Sequence, residues 1–238
     1  MGIFSKEELV RYSRQMMLPE IGLRGQEKIK NAKVLVIGAG GLGCPTLQYL
    51  CAAGVGTIGI IDFDKIELHN LHRQILYSTE DVGKPKAITA ATKLKKQNPT
   101  IEFIVVDKML TETNASEIIS QFQIVVDGSD NFLTRYLVND TCVELNKPLV
   151  YGSILKFEGQ LTVFNYKGSK NLRDLYPEPP NPEDVPNCDE NGVLGTLPGI
   201  IATMMANETL KIIIGLKALN DQLLIFDTIN WQVTKLEI

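Results

Sequence analysis

Gly38-Ala39-Gly40-Gly41-Leu42-Gly43 follows the β-branched run Val34-Leu35-Val36-Ile37 directly and precedes a segment with helical spacing. Gly38, Gly40 and Gly43 fit the pattern G-x-G-x-x-G. In that setting glycines let the backbone approach a nucleotide, and the following helix N-terminus attracts its anionic part. Asp62 ends the next apolar run about twenty residues on, where a carboxylate can take ribose hydroxyls. These features leave a dinucleotide and ATP both open, with a tight strand–helix turn that binds nothing as the plain alternative.

The polar residues downstream favour a triphosphate, because a triphosphate under attack needs fixed cations and usually magnesium. Asn70, Arg73 and Gln74 in Asn70-Leu71-His72-Arg73-Gln74, and Lys86 in Gly83-Lys84-Pro85-Lys86, supply donors and cations. Asp127 and Asp130 in Asp127-Gly128-Ser129-Asp130-Asn131 end a fourth apolar run, at the carboxyl edge where open α/β sheets bind ligands. Asp130 is the magnesium candidate, and its structural alternative is to cap a helix beginning near Phe132. Taken singly, each cation reads as a solvated surface charge; their joint occurrence points to a site. His69 and His72 read as ordinary loop residues.

Strands and helices must alternate to bring these segments together. Runs at 34–38, 57–62, 101–106, 123–130 and 148–152 read as strands, and Cys44 to Ala53, Lys84 to Gln97 and Phe132 to Leu145 as helices. This alternation predicts βαβ units in a Rossmann-like, doubly wound α/β sheet. Amphipathic segments at Glu7 to Met17 and Gly25 to Ala32 precede it. After Gly159 the pattern changes to an alternating strand at 160–166, a Pro-rich stretch from Lys167 to Gly192, an apolar helix ending at Gly215 and two strands around Ile229-Asn230 that read as a hairpin. The expectation is a single domain over 1–238. Its Rossmann-like half covers about 30–152, and a mixed, partly antiparallel half covers about 153–238 with a mobile loop at 167–192.

Composition narrows the function classes. The 238 residues carry 24 basic and 28 acidic side chains, net charge −4, with no polybasic tract to neutralise a row of phosphates, so no nucleic acid partner is expected. The N-terminus lacks an apolar leader segment, and the longest apolar region, Val193 to Gly215, holds Pro198, Asn207, Glu208 and Lys211; a buried helix is expected and no membrane span. Cys44, Cys51, Cys142 and Cys188 are scattered in neither a disulfide nor a metal pattern, which favours a reducing cytoplasm.

Arg11-Tyr12-Ser13-Arg14-Gln15, the Gly38–Gly43 loop, Ile61-Asp62-Phe63-Asp64, Asn70 to Gln74, Gly83 to Lys86, Asp127 to Asn131 and Glu158-Gly159-Gln160 occur in this order along nearly the whole chain. In these segments the chain resembles the ThiF/MoeB/HesA family, bacterial relatives of ubiquitin-activating enzymes. The resemblance implies ATP-dependent adenylation of the C-terminal Gly-Gly carboxylate of a small ubiquitin-like sulfur carrier, with release of pyrophosphate, in thiamine, molybdopterin or related sulfur-transfer biosynthesis. By motif position Gly41, Asp62, Asn70, Arg73, Lys86 and Asp130 would hold ATP and Mg2+, with Gly38, Gly40, Gly43, Asp64, Gln74 and Asn131 beside them. Arg14 would complete the site of the second subunit in a homodimer, and Cys188 stands at the family's candidate sulfur-linkage position. A sulfur donor protein is a further implied partner. The chain lacks the paired Cys-x-x-Cys motifs that bind zinc in many members, so zinc is not expected. An NAD-dependent oxidoreductase and a catalytically inactive binding module of the same fold are the competing readings.

Overall fold

Alternation along β1 (Lys33–Ile37) fixes which helices lie on which side of the sheet. Val34 and Val36 point into one buried cluster with Ile29, Leu47, Leu94 and Met205, while Leu35 and Ile37 point into another with Ile119, Phe122 and Val138. A strand buried on both faces must be apolar throughout, which is why these runs are continuous rather than alternating. The computed structural model describes residues 3–180 and 192–238. In it β2 (Thr57–Ile61), β3 (Glu102–Val106), β4 (Ile124–Asp127) and β5 (Leu149–Leu155) run parallel with β1. β6 (Glu158–Phe164), β7 (Gln222–Asp227) and β8 (Gln232–Glu237) continue the same sheet antiparallel, in the order β3-β2-β1-β4-β5-β6-β7-β8. The fold is the mixed α/β sheet expected, antiparallel in its C-terminal half.

On the N-terminal side lie α1 (Lys6–Arg11), α2 (Ser13–Met16) and α3 (Gly22–Asn31). The single amphipathic segment expected over 7–17 is broken because Tyr12 turns inward, where its hydroxyl accepts a 2.8 Å hydrogen bond from Asn98 Nδ2. The crossovers are α4 (Gly43–Ala53), α5 (Lys86–Gln97), the short α6 (Ala115–Ser120), which has no counterpart in the sequence reading, and α7 (Phe132–Glu144). The helix expected from Lys84 begins at Lys86, after Pro85.

Of the loop expected at 167–192, residues up to 180 include one helical turn, α8 (Leu172–Leu175). Arg173 ties it to α7 through two 2.8 Å bonds to Asp140. Residues 181–191, Cys188 included, lie outside the described residues. The apolar helix α9 (Thr196–Ile214) is long and apolar enough to cross a bilayer, yet it packs on α4, β5 and β6. Its Glu208 is buried and paired with Lys211 at 2.6 Å, and accepts the Leu219 amide at 2.8 Å. These are the marks of a core helix, as expected.

Candidate active site

β1 leads outward to β2 and β4 leads to β5 on the other side, so the chain diverges between β1 and β4 and leaves a crevice at their carboxyl ends. A cleft of about 320 Å³ opens there. Its two turns lean on each other. Gly128 N donates to Ile37 O at 2.8 Å, and Gly38, with φ of 83°, has the Gly128 carbonyl only 2.9 Å from where a Cβ would stand. A side chain on Gly43 would be driven into the Gly38 carbonyl oxygen. Gly38 and Gly43 thus set the turn, and Gly38, Gly40 and Gly41 line the cleft.

Asp62 lines the cleft and also braces the loop: its Oδ2 accepts the Ala39 amide at 2.7 Å and its Oδ1 the Asp64 amide at 2.8 Å. Burial pushes its carboxyl above the usual range, against the opposing pull of these amides and of Lys86. Lys86, the first residue of α5, has a buried side chain whose Nζ lies 2.8 Å from the half-exposed Asp64 Oδ2. Arg73 lines the cleft and donates to the His69 carbonyl at 3.2 Å. Gln74 is buried beside it with Oε1 lacking a partner among the described residues. Asp130 and Asn131 line the opposite wall. Asn131 caps α7 by accepting from Thr134 N at 2.9 Å, so the capping role open to Asp130 falls to its neighbour, and the Asp130 carboxylate stays exposed toward the cleft.

The N-cap residue of α4, Leu42, and the first turns of α5 and α7 line this cleft, and Pro198 in the first turn of α9 packs on Gly41. Converging positive helix ends, with Arg73, Lys86 and Lys108 in the lining, make a site for a polyanion. Among the described residues no three His, Cys, Asp or Glu side chains gather to hold a metal. A lone Asp130 fits Mg2+, which commonly binds through one or two carboxylates plus substrate phosphates and water, and does not fit a closed four-ligand site. Cys44, Cys51 and Cys142 are buried packing residues, as expected from their helical positions; burial pushes the Cys44 thiol up to about 12 and the Cys51 thiol to about 11.

Asn70 and Arg14, both expected at the site, lie outside the cleft lining. Asn70 is buried outside its lining, where its Oδ1 accepts the Glu67 amide at 3.1 Å and its carbonyl accepts the Arg73 and Gln74 amides. It shapes the segment that presents Arg73. Arg14 is exposed on α2, where its Nη1 donates to Met17 Sδ at 3.9 Å. Cys188 lies outside the described residues. Conversely, the structure places a buried arginine, Arg135, in the cleft wall. Its one sequence signal is a position one helical turn beyond the cap residue Asn131.

The ThiF family profile matches residues 12–238. A sulfur carrier protein adenylyltransferase of Thermus thermophilus is 49% identical over 99% of this chain and 89% of its own length. The adenylyltransferase and sulfurtransferase MOCS3 of Danio rerio is 50% identical over 94% of this chain, which spans only 49% of that longer protein. Among solved structures, Escherichia coli MccB with ATP aligns at a TM-score of 0.83 over 95% of this chain and 71% of that one, at 23% identity, a likeness of fold. A family match from Tyr12 to the last residue, together with a near full-length relative at this identity, shows that the chain belongs to the ThiF family.

Proposed function

We propose that this chain is an adenylyltransferase that activates the C-terminal Gly-Gly carboxylate of a ubiquitin-like sulfur carrier protein, with ATP as nucleotide and Mg2+ as metal. The observation that carries the reading is the joint placement of Arg73, Lys86 and a carboxylate without a lysine or arginine partner among the described residues, Asp130, around a glycine loop. The 49% identity to a sulfur carrier protein adenylyltransferase over nearly the whole chain supports it. A bound dinucleotide would leave Lys86 and Asp130 without a task.

The chemistry follows from charge. A carboxylate is a poor nucleophile beside a polyanion, and it is already ionised at neutral pH, so the site needs positioning and charge stabilisation but no general base. One carboxylate oxygen attacks the α-phosphorus, the bond from that phosphorus to the bridging oxygen breaks, and pyrophosphate leaves with the electron pair. Lys86, backed by the α5 N-terminus, stabilises charge on the α-phosphoryl oxygens, and Arg73 holds the leaving pyrophosphate. Mg2+ at Asp130 would supply further charge neutralisation on the phosphates. Asp62 holds the glycine loop and takes the ribose. Arg14 serves the partner subunit of a homodimer, the product passes to a sulfur donor system of thiamine, molybdopterin or related biosynthesis, and the reaction belongs in the cytoplasm, where the unpaired thiols stay reduced.

Exchange of labelled pyrophosphate into ATP tests this reading. It should require Mg2+ and a carrier with a free Gly-Gly terminus, and Lys86→Ala and Asp130→Ala should each lower it by about 10²–10³. Wild-type exchange in both variants, or retention of NADH in preference to ATP, would overturn it.

A further inference from the structure

Arg135 has no part in the chemistry just described, yet it is 7% exposed in the wall of the cleft and held from two directions. Its Nη1 donates to Tyr151 Oη on β5 at 2.8 Å, and its Nη2 donates to the Ser129 carbonyl at 2.9 Å, with the guanidinium 5.2 Å from the Tyr151 ring centre. Ser129 is the residue before Asp130. Ser129 N reaches Asp127 Oδ1 at 2.9 Å, but the buried Asp127 Oδ2 and Ser129 Oγ have no hydrogen-bond partner among the described residues.

A carboxylate that is to share a metal with phosphates must be held within about 0.5 Å and 10–20° of its working geometry by its supporting groups. We propose that Arg135, braced by Tyr151, is the positioning residue that fixes the Ser129–Asp130 peptide and so aims the Asp130 carboxylate at the metal. The inference rests on the reading of Asp130 as the Mg2+ ligand. The guanidinium is suited to this because its planar fork spans two acceptors at once, one on β5 and one on the turn. A lysine would keep the charge beside the buried Asp127 carboxylate and lose the fork. That separates positioning from charge compensation.

Titration of Mn2+ onto protein carrying α,β-methylene ATP, followed by the electron paramagnetic resonance of free Mn2+, reads the metal directly; the Mg2+ dependence of pyrophosphate exchange reads it in turnover. Arg135→Lys should weaken Mn2+ binding by about 10–100-fold, the range seen when outer partners of metal ligands are lost. It should raise half-saturating Mg2+ to match and recover much of the maximal rate at high Mg2+. Tyr151→Phe, which removes one hydroxyl and keeps the ring, should move both in the same direction by less, and it decides the matter if Arg135→Lys does not fold. Variants that lose rate with an unchanged metal constant, or keep wild-type behaviour, would overturn the role of Arg135. A wild-type protein with neither Mn2+ binding nor metal-dependent exchange would instead sink the reading of Asp130 on which it rests.

Discussion

Lys86 meets Asp64 before it meets any phosphate. Its side chain is buried, and the half-exposed Asp64 carboxylate at 2.8 Å is what offsets the buried ammonium. Breaking a buried pair leaves an uncompensated charge, and because Asp64 is half in water the cost in Asp64→Asn should be below the fully buried range, about 1–3 kcal/mol. ATP would bring a replacement anion. The thermal shift on adding ATP should therefore be larger for Asp64→Asn than for the wild type, although the variant melts lower without nucleotide; equal shifts in scanning fluorimetry would contradict this. At this scale the sequence reveals residues that sit in spaced motifs. Lys86, Arg73 and Asp130 announce themselves through their neighbours, whereas Arg135 is a lone cation inside a helix. Its burial depends on Tyr151, which β5 delivers from another part of the chain.

The element that delivers Arg73, Gln74 and Lys86 to one cleft is the long connection between β2 and α5. Two single 3-10 turns shape it, Leu68–Asn70 and Thr79–Asp81, each closed by a reciprocal side-chain cap, and a bridge between Lys65 and Pro85 ties its end back. Asp81 is the keystone of the second turn. It accepts from Ser78 N and Ser78 Oγ at 2.9 Å each and from Lys84 Nζ at 3.1 Å, and it also pairs with Lys93 on α5. Burial raises this carboxyl, but Lys93, Ser78 and Lys84 together hold it well below the usual carboxylate range. A folded-state pKa below the unfolded value contributes stability that is complete above about pH 4 and lost as pH falls toward the folded value. Asp81→Asn should thus cost about 1.5–3 kcal/mol at pH 7, several degrees of melting temperature, with the gap to wild type closing below about pH 4. A gap that stays constant between pH 7 and pH 3 would show that shape, not charge, holds the turn. This connection was legible only as a set of polar motifs, because 3-10 turns of three residues leave no periodicity. The same brevity hid α6, six residues long.

In the molecule as a whole, the strands were the most legible feature, since a parallel sheet covered on both faces demands uninterrupted apolar runs. The N-terminal segment was the least, because the inward turn of Tyr12 depends on Asn98, which is 86 positions away. That turn leaves a surface with a consequence for assembly. Val10, Met17 and Leu23 are 76%, 70% and 60% exposed on or beside the first three helices, and Arg14, beside Met17, lies outside the cleft lining of its own chain. Exposed apolar side chains on these helices with a long cation beside them would suit a second copy of the chain, and in a two-fold dimer each Arg14 would face the other subunit. Mixing equal amounts of Arg14→Ala and Lys86→Ala gives half heterodimers. If Arg14 acts across the interface, one site of each heterodimer is intact and the other carries both defects, so about a quarter of the wild-type activity should return. If Arg14 serves its own chain, every site in the mixture lacks one residue or the other and nothing returns. Pyrophosphate exchange after verified subunit mixing separates the two, because no arrangement within a single chain can rebuild a site from these two variants.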